Sequence, residues 1–597
     1  MGNGVSRRRL LTGAGVAVAA GSFAGHAWGF EEAVRPPPRR WDREADVVCV
    51  GGGAAGLTAA VTAAAEGASV LVLEKGAVAG GTTARSGGVF WIPNHFGLRA
   101  RGIVDARDDC LRYLVRYSYP ELYDPDSPTL GVDAGVYRQL AAFYDNGSVM
   151  VDRLRDLGAL GVREFRMWQL DRVPPDYFSH APENRVSGGR PLSPTTPGGD
   201  TGRGANLILH LQGWLGGKNV PLLTGHRVVG LVMEDGRVQG VVAARAEDGV
   251  EVTVRARRAV IFGTGGFAHN PELIRLHHKP FLYGACADPN ATGDLVAIAG
   301  AAGARFSNMA SAWRTPVVFE EALENRLVSS GAFVPPGDSM FLVNKYGVRV
   351  VNEKRNYNDR TRIHNVFDPN QAEYPNQLMF MIYDQRTAEA FAGNYPLPRN
   401  DPAGAHVITG QTLEGLAAAL QARLQSLADA CGSFRLDEAF ARNLQSTAAR
   451  FNGFARSGDD LDFQRGAFDY DRAWMPLFGA MRSDTSWPAN DLPNPTLYPL
   501  REQGPYYAMI MAPGVLDTNG GPTINEHAQI LGAQGEPIAG LYGAGNCIAS
   551  PSREAYFGAG ATIGLAMTFG YIAARHAVAH AVAHAVAPAA DEGGSAA

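Results

Sequence analysis

Residues 45–74 constrain the fold more than any other stretch of the chain. A β-branched run ends at Val50, the pattern Gly51-x-Gly53-x-x-Gly56 follows, an Ala-rich stretch leads to Glu66, and a second apolar run closes on Glu74. This is a strand–helix–strand unit of about 30 residues. The first glycine permits the tight turn, the second lets the backbone approach a pyrophosphate, and the third lets helix and strand pack closely. The helix N-terminus then faces the phosphates, and Glu74 stands where a ribose hydroxyl needs an acceptor. The glycine pattern alone would be weak, but strand, helix and acid around it make a dinucleotide-binding signature.

A second glycine-rich loop, Gly80-Gly81-Thr82-Thr83-Ala84-Arg85-Ser86-Gly87-Gly88, favours FAD over NAD, because its small residues let backbone amides press against a flavin ring. β-Rich material at 227–233, 238–244 and 250–257 leads to a further run at 259–262, which ends in Gly263-Thr264-Gly265-Gly266. From about 312 to 513 the pattern changes to mixed helices and loops rich in Asn, Pro and Arg, which reads as an inserted cap domain. Glycine-punctuated strand returns at 540–546, before a long Ala/Gly helix from about 558 to 584. The predicted fold class is α/β with an α+β cap. A Rossmann-like FAD-binding domain in two parts, 45–311 and 514–588, surrounds a catalytic cap at 312–513. A leader at 1–30, a linker at 31–44 and a tail at 589–597 complete the organisation. The candidate cofactor-binding residues are Gly51, Gly53, Ala55, Gly56, Glu74, Lys75, Gly81, Thr82, Thr83, Ala84, Ser86, Gly87, Gly88, Val228, Gly265, Asp294, Gly545, Asn546, Ala561 and Ile563.

A length of 597 residues supports more than one core. The net charge of -5, with no Lys/Arg run beyond the first ten residues, argues against a nucleic-acid partner. Cys49, Cys110, Cys286, Cys431 and Cys547 are scattered and lack CxxC spacing, so neither a disulfide framework nor a zinc site is expected. His576, His580 and His584 share a helix face, but with no acidic or Cys neighbour they read as the end of an Ala-rich helix, and no metal is expected. Ser6-Arg7-Arg8-Arg9-Leu10-Leu11, a weakly apolar run to Phe23 and then Ala24-Gly25-His26-Ala27 make a twin-arginine leader, so a periplasmic or extracellular location is expected. No segment offers about 18 uninterrupted apolar residues, so no transmembrane span is expected.

Five stretches resemble the 3-ketosteroid dehydrogenase family of the FAD-dependent fumarate reductase/succinate dehydrogenase flavoprotein superfamily. They are GGTTARSGGVFWIPN at 80–94, NEKRNY at 352–357, NGFARSGDDLDFQRGAFDY at 452–470, PGVLDTNGGPTINEHAQIL at 513–531 and the glycine-rich 545–570. The likeness spans 45 to about 577. It implies an FAD cofactor, and a non-covalent one. Covalent members of the superfamily carry a flavin-linking histidine in the loop after the first unit, whereas none occurs here between Gly76 and Asn94.

The family takes a proton from carbon 2 and a hydride from carbon 1 of ring A of a 3-ketosteroid, the hydride passing to flavin nitrogen 5. A ketone α-proton is weakly acidic, so such a site stabilises enolate-like charge on the carbonyl oxygen with donors placed beforehand. In the family a tyrosine hydroxyl and a glycine amide four residues apart do this, and the matching positions are Tyr556 and Gly560. The family's proton-abstracting tyrosine follows an Asn-Glu pair, which assigns Tyr357 after Asn352-Glu353. A third family tyrosine lines the site, and Tyr177, in a Pro-rich loop, is its match. A phenol with a pKa near 10 needs a lowered pKa or a route for its proton. Lys354, Arg355 and Arg360, close in sequence, are expected to lower that of Tyr357.

Phe557 and Ala559 stand where the family usually has prolines, which predicts a reshaped pocket. Related flavoproteins desaturate the 4(5) bond instead, so both regiochemistries stay open. An apolar 3-ketosteroid and an electron acceptor such as a quinone are the expected partners. The alternative enzyme is a periplasmic, fumarate-reductase-like enoate reductase, which needs guanidinium forks for carboxylates; Arg553, Arg355 and Arg360 are its candidates. The non-enzymatic alternative, a flavin fold that only binds an apolar ligand, leaves Tyr357 and Tyr556 without a task.

Overall fold

The computed structural model describes residues 33–167, 171–480 and 490–585. The segments read as a twin-arginine leader, 1–30, and as a C-terminal tail, 589–597, lie outside the described residues. The first unit forms as its pattern predicts: strand Arg43–Val50, helix Ala54–Ala65 and strand Val70–Leu73, the two strands parallel. Their apolar residues are buried on both faces, as a parallel sheet covered by helices demands. The strands Pro537–Gly543, Glu251–Phe262, Arg43–Val50, Val70–Leu73 and Leu222–Leu223 run parallel side by side. His226–Glu234 and Arg237–Arg245 extend this sheet antiparallel.

Two details depart from the sequence pattern. The runs at 250–257 and 259–262 are one strand, Glu251–Phe262, with a register shift between Ala256 and Ala259 that absorbs the break. Part of the predicted linker is sheet as well, because Val34–Arg35 pairs with Leu231 and Val232.

The cap carries a six-stranded sheet of its own, centred on Tyr506–Thr518. Against that strand lie Gly284–Ala285, Ala312–Val318, Met379–Asp384 and Ile408–Gly410. The helices Leu413–Ser426 and Phe440–Ser457 bury their apolar faces on it. Strands of this sheet reach outside the bounds of 312 and 513 expected for the cap, with Gly284–Ala285 before the first and Tyr506–Thr518 crossing the second. A hydrogen-bonded ladder does not stop where composition changes.

The C-terminal helix Ala561–Ala585 packs across Ala54–Ala65. Side chains at Gly564 and Gly570 would collide with the carbonyls of Trp91 and Ala55, so glycine sets that close approach. Farther along it, His576 stacks face-on with His580 at 3.8 Å and with His527 at 4.5 Å. Among the described residues no group of three His, Cys, Asp or Glu could hold a metal, all five cysteines are free, and no helix is long and apolar enough to cross a membrane.

Candidate active site

One cavity of about 680 Å³ runs from the glycine turn of the first unit to the aromatic face of the cap. At one end, Gly51 has φ +105° and lies against Gly263, where a Cβ would collide with the Gly263 carbonyl. At the N-terminus of Ala54–Ala65 the N-cap Gly53 has no side chain and the first turn holds no acidic residue, while Thr83 Oγ1 accepts from the Ala54 amide at 3.2 Å. That suits a phosphate, since the remaining first-turn amides stand at the positive end of the helix dipole beside the cavity. Glu74, 8 % exposed, accepts from the amides of Gly52 (2.7 Å) and Gly76 (2.6 Å), leaving a lone pair on each oxygen for a ribose. Lys75 is ion-paired with Asp294 at 3.0 Å, and Arg227 reaches the same carboxylate at 2.8 Å. Thr264, on the cavity wall, has the Cys547 thiol beside its hydroxyl. A mould of free amides, an acidic ribose acceptor and small-residue loops fits FAD.

Seventeen of the expected cofactor residues line this cavity, and Gly56, Ala84 and Ala561 do not. Gly56 is a packing glycine, since a Cβ there would meet the Gly51 carbonyl. Ala84 turns into its own short helix, its amide donating to the Gly80 carbonyl at 3.1 Å. Ala561 is fully buried at the start of the C-terminal helix.

At the other end the three expected tyrosines meet. Tyr177, Tyr357 and Tyr556 are 3, 7 and 4 % exposed. The hydroxyls of Tyr177 and Tyr357 are 3.2 Å apart, and the Tyr177 ring stacks on Tyr556 at 5.1 Å. The edge of Tyr357 meets Tyr556 at 5.5 Å.

Local sequence fixes each of them. Tyr357 opens the short helix Tyr357–Thr361, which Asn356 caps by accepting from the Asp359 amide. Asn358, next along, accepts from the Arg314 amide at 2.9 Å and donates to the Glu554 carbonyl at 2.7 Å, joining this helix to the Tyr556 loop. Gly560, at φ +85°, sits where a Cβ would strike Val89 and Phe90, and its carbonyl accepts from the Trp91 amide. Of the two positions expected to reshape the cavity, Ala559 lines it and Phe557 does not. Phe557 lies outside it in an aromatic cluster with Trp91, Tyr113 and Tyr117, and its carbonyl accepts from the Tyr113 hydroxyl and the Tyr177 amide. These bonds stiffen the loop in place of prolines.

Beneath Tyr177, Arg190 is buried between Asp105 (2.7 and 2.8 Å) and Asp176, whose other oxygen accepts from Trp91 Nε1. Removing one member of such a network leaves a buried charge uncompensated. Arg190→Ala is therefore expected to cost about 3–5 kcal/mol of stability in urea denaturation. A loss within error of zero would mean that the loop carrying Tyr177 is held by its backbone alone.

The electrostatics correct one expectation. Burial, reinforced by Tyr177 and Tyr556, pushes the Tyr357 hydroxyl well above its ordinary pKa. None of the three basic neighbours lowers it. Arg360 donates to the carbonyls of Glu353, Arg355, Ala332 and Phe333, Lys354 to those of Pro335 and Gly337, and Arg355 to that of Tyr177. Lys354 and Arg360 are spent on orphan backbone groups, and Arg355 is shared between the Tyr177 carbonyl and the Asp471 carboxylate, 3.7 Å away. Burial also raises the Tyr556 hydroxyl, opposed by hydrogen bonds to Tyr357, Thr562 and the Gly560 amide. The Gly560 amide thus lies beside the Tyr556 oxygen.

Sequence reasoning missed Trp313, Phe333, Tyr470, Trp474 and Asp517, all of which line the cavity. Tyr470 and Trp474 were legible only as an i, i+4 aromatic pair on the helix Asp469–Ala480, a spacing that equally describes core. Arg553, Arg355 and Arg360, the candidate carboxylate forks, do not line it; Arg553 pairs with Glu121 at 2.5 Å.

Comparisons with known proteins agree with this geometry. A family profile described as "FAD binding domain" matches residues 46–563. The chain is 32% identical over 576 residues to a 4-oxocyclohexanecarboxylate 2-dehydrogenase of Sinomonas cyclohexanicum, covering 89% of this chain and 92% of that one. It is 32% identical over 593 residues to a 3-oxosteroid 1-dehydrogenase of Mycolicibacterium smegmatis, covering 89% and 97%. Among solved structures, the 3-ketosteroid delta1-dehydrogenase of Sterolibacterium denitrificans, in complex with 1,4-androstadiene-3,17-dione, superposes with a TM-score of 0.72 at 26% identity, over 90% of this chain and 100% of that one.

Proposed function

The chain belongs to the 3-ketosteroid dehydrogenase family of the fumarate reductase-type FAD flavoproteins, as an oxidoreductase acting on CH–CH bonds, and from that premise we propose that it desaturates ring A of a 3-ketosteroid. The observation that carries this reading is the meeting of three buried tyrosines and the Gly560 amide in the same cavity as the FAD mould. The 1(2) bond is favoured, and the 4(5) bond is the regiochemical alternative.

In this reading the substrate carbonyl lies against Tyr556 and Gly560, whose O–H and N–H donate to it and take up the charge that develops as carbon 2 loses its proton. Tyr357 receives that proton. A neutral phenol cannot accept a proton and keep its own, so its hydroxyl proton passes to Tyr177, 3.2 Å away, and Tyr177, a neutral phenol itself, releases its own proton toward solvent. The raised pKa of Tyr357 makes this relay necessary, since its phenolate is scarce at neutral pH. Bound FAD, held non-covalently, supplies the two-electron acceptor for the hydrogen on carbon 1. The aromatic walls around the tyrosines, with Trp313, Phe333 and Trp474, exclude water from the enolate. The electron acceptor that completes turnover is proposed to be a quinone, and the leader at 1–30 supports export by the twin-arginine route.

The test is anaerobic mixing with androst-4-ene-3,17-dione and with 5α- and 5β-androstane-3,17-dione, following flavin absorbance and product mass. Bleaching with loss of two hydrogens is expected, and the product position assigns the bond. Silence with every steroid, together with reoxidation of reduced enzyme by fumarate, would replace this reading with the reductase.

A second reading, a cyclohexanone carboxylate as substrate, is favoured by Arg85. Its guanidinium lines the cavity, is exposed, and pairs with no carboxylate among the described residues. A charge-assisted hydrogen bond is worth about 1.5–3 kcal/mol. Arg85→Gln is then expected to raise KM for 4-oxocyclohexanecarboxylate about 10–100-fold while leaving that for androst-4-ene-3,17-dione unchanged. Equal, small effects on both substrates would remove Arg85 from substrate recognition.

A further inference from the structure

Beside Tyr556, polar side chains from three separate parts of the chain form one hydrogen-bonded line. Asp517, near the end of the strand Tyr506–Thr518, is 1 % exposed. Its carboxylate accepts from the amides of Gly266 and Thr518, each at 2.9 Å, and from Asn546 Nδ2 at 3.1 Å. Asn546 in turn accepts through Oδ1 from Trp313 Nε1 at 2.9 Å. The Trp313 ring meets Tyr556 edge-on, with centroids 5.4 Å apart and planes at 74°. All four side chains line the cavity.

An asparagine amide has a donor end and an acceptor end. While Asp517 is a carboxylate, the donor end of Asn546 faces it and the acceptor end is left for the indole N–H. We propose that Asp517 is a positioning residue for Tyr556, acting through Asn546 and Trp313 to hold the phenol ring at the angle from which its hydroxyl reaches the substrate carbonyl. This rests on the role given to Tyr556 above.

The line works with the carboxylate and not with the acid, because every contact Asp517 makes is with an N–H. Its contacts are the amides of Gly266, Thr518 and Ala268 and the Asn546 side chain, and no charged side chain touches it among the described residues. On the neighbouring elements, Arg314, which follows Trp313, is engaged by Glu554 at 3.1 Å, and Cys547, which follows Asn546, is a thiol raised by burial. A proton on Asp517 sets an O–H against one of its donors, reverses the preferred orientation of Asn546 and turns that amide's N–H₂ toward the indole N–H. Burial raises the Asp517 carboxyl to about 6, against hydrogen bonds that lower it. The acid form therefore accumulates as pH falls through about 6, and kcat is expected to fall with it.

The experiment compares wild type, Trp313→Phe and Asn546→Ala, each flavin-loaded, in kcat and KM against pH, with Tyr556→Phe in parallel. Trp313→Phe keeps an aromatic edge on Tyr556 and removes only the donor; Asn546→Ala removes the middle link. Both are expected to lower kcat about 5–10-fold, the equivalent of one hydrogen bond, with a much smaller change in KM. Both should also abolish the acid limb near pH 6, because the state of Asp517 no longer reaches Tyr556. If Tyr556→Phe is inactive but the two variants keep the wild-type kcat or the wild-type acid limb, the positioning role is wrong and the role of Tyr556 stands. If Tyr556→Phe turns over normally, the role of Tyr556 fails and takes the positioning role with it.

Discussion

Tyr556→Phe is expected to slow flavin bleaching by a 3-ketosteroid about 100–1000-fold, the cost of removing one donor from an oxyanion hole, or about 2.7–4 kcal/mol. The phenyl ring preserves the stacking on Tyr177 and the edges of Trp313 and Tyr357, so the cavity keeps its shape and only the hydroxyl goes. The Gly560 amide remains, and the residual rate measures what one donor alone supplies. Because the hydroxyl is needed most when charge has moved onto the oxygen, KM for androst-4-ene-3,17-dione should change far less than kcat. The measurement is stopped-flow bleaching in a single anaerobic turnover. An unchanged rate would mean that the carbonyl is polarised elsewhere in the cavity.

Gly51→Ala is expected to give a folded protein without flavin. At φ +105° an L residue is strained, and its Cβ would be driven into the Gly263 carbonyl, on the strand end that faces the cofactor. Relief requires the turn to move away from Gly263, and the amides expected to cradle a pyrophosphate move with it. Gly67→Ala is the matched control: its φ is +84°, but a Cβ there meets nothing within 4 Å. That variant should lose on the order of 1 kcal/mol of stability and retain its yellow colour. The ratio of flavin to protein after gel filtration decides the matter; a fully loaded Gly51→Ala would show that the turn tolerates displacement without losing the cofactor.

Most residues expected to hold the cofactor line the cavity, because the requirements of such a turn are local. Gly51 and Gly53 sit in a turn a few residues long, and Glu74 ends the very next strand. Gly56, Ala84 and Ala561, expected beside the cofactor, lie off the cavity wall and pack behind it. The tyrosines were found by resemblance to a family rather than by pattern; nothing in the spacing of Tyr177 and Tyr357, 180 residues apart, says that their hydroxyls meet. The basic residues around Tyr357 show the opposite failure. Adjacency in sequence promised a lowered pKa, and the fold spends Arg360 and Lys354 on buried carbonyl groups that would otherwise be unpaired and Arg355 partly on Asp471.

By itself, then, the sequence determined the dinucleotide unit, the preference for FAD and the two-part nucleotide domain, since strand period, helix-forming Ala runs and glycine conformation act over a few residues. Only the tertiary structure decided which aromatic residues close the cavity, that Phe557 stiffens a loop outside it, and that Asp517, Asn546 and Trp313 form one line to Tyr556. Those contacts depend on how the cap sheet lies against the nucleotide domain. Trp313 and Asn546 are 233 positions apart, and their hydrogen bond exists because two separately formed layers pack at one angle, a quantity that no short window of sequence encodes.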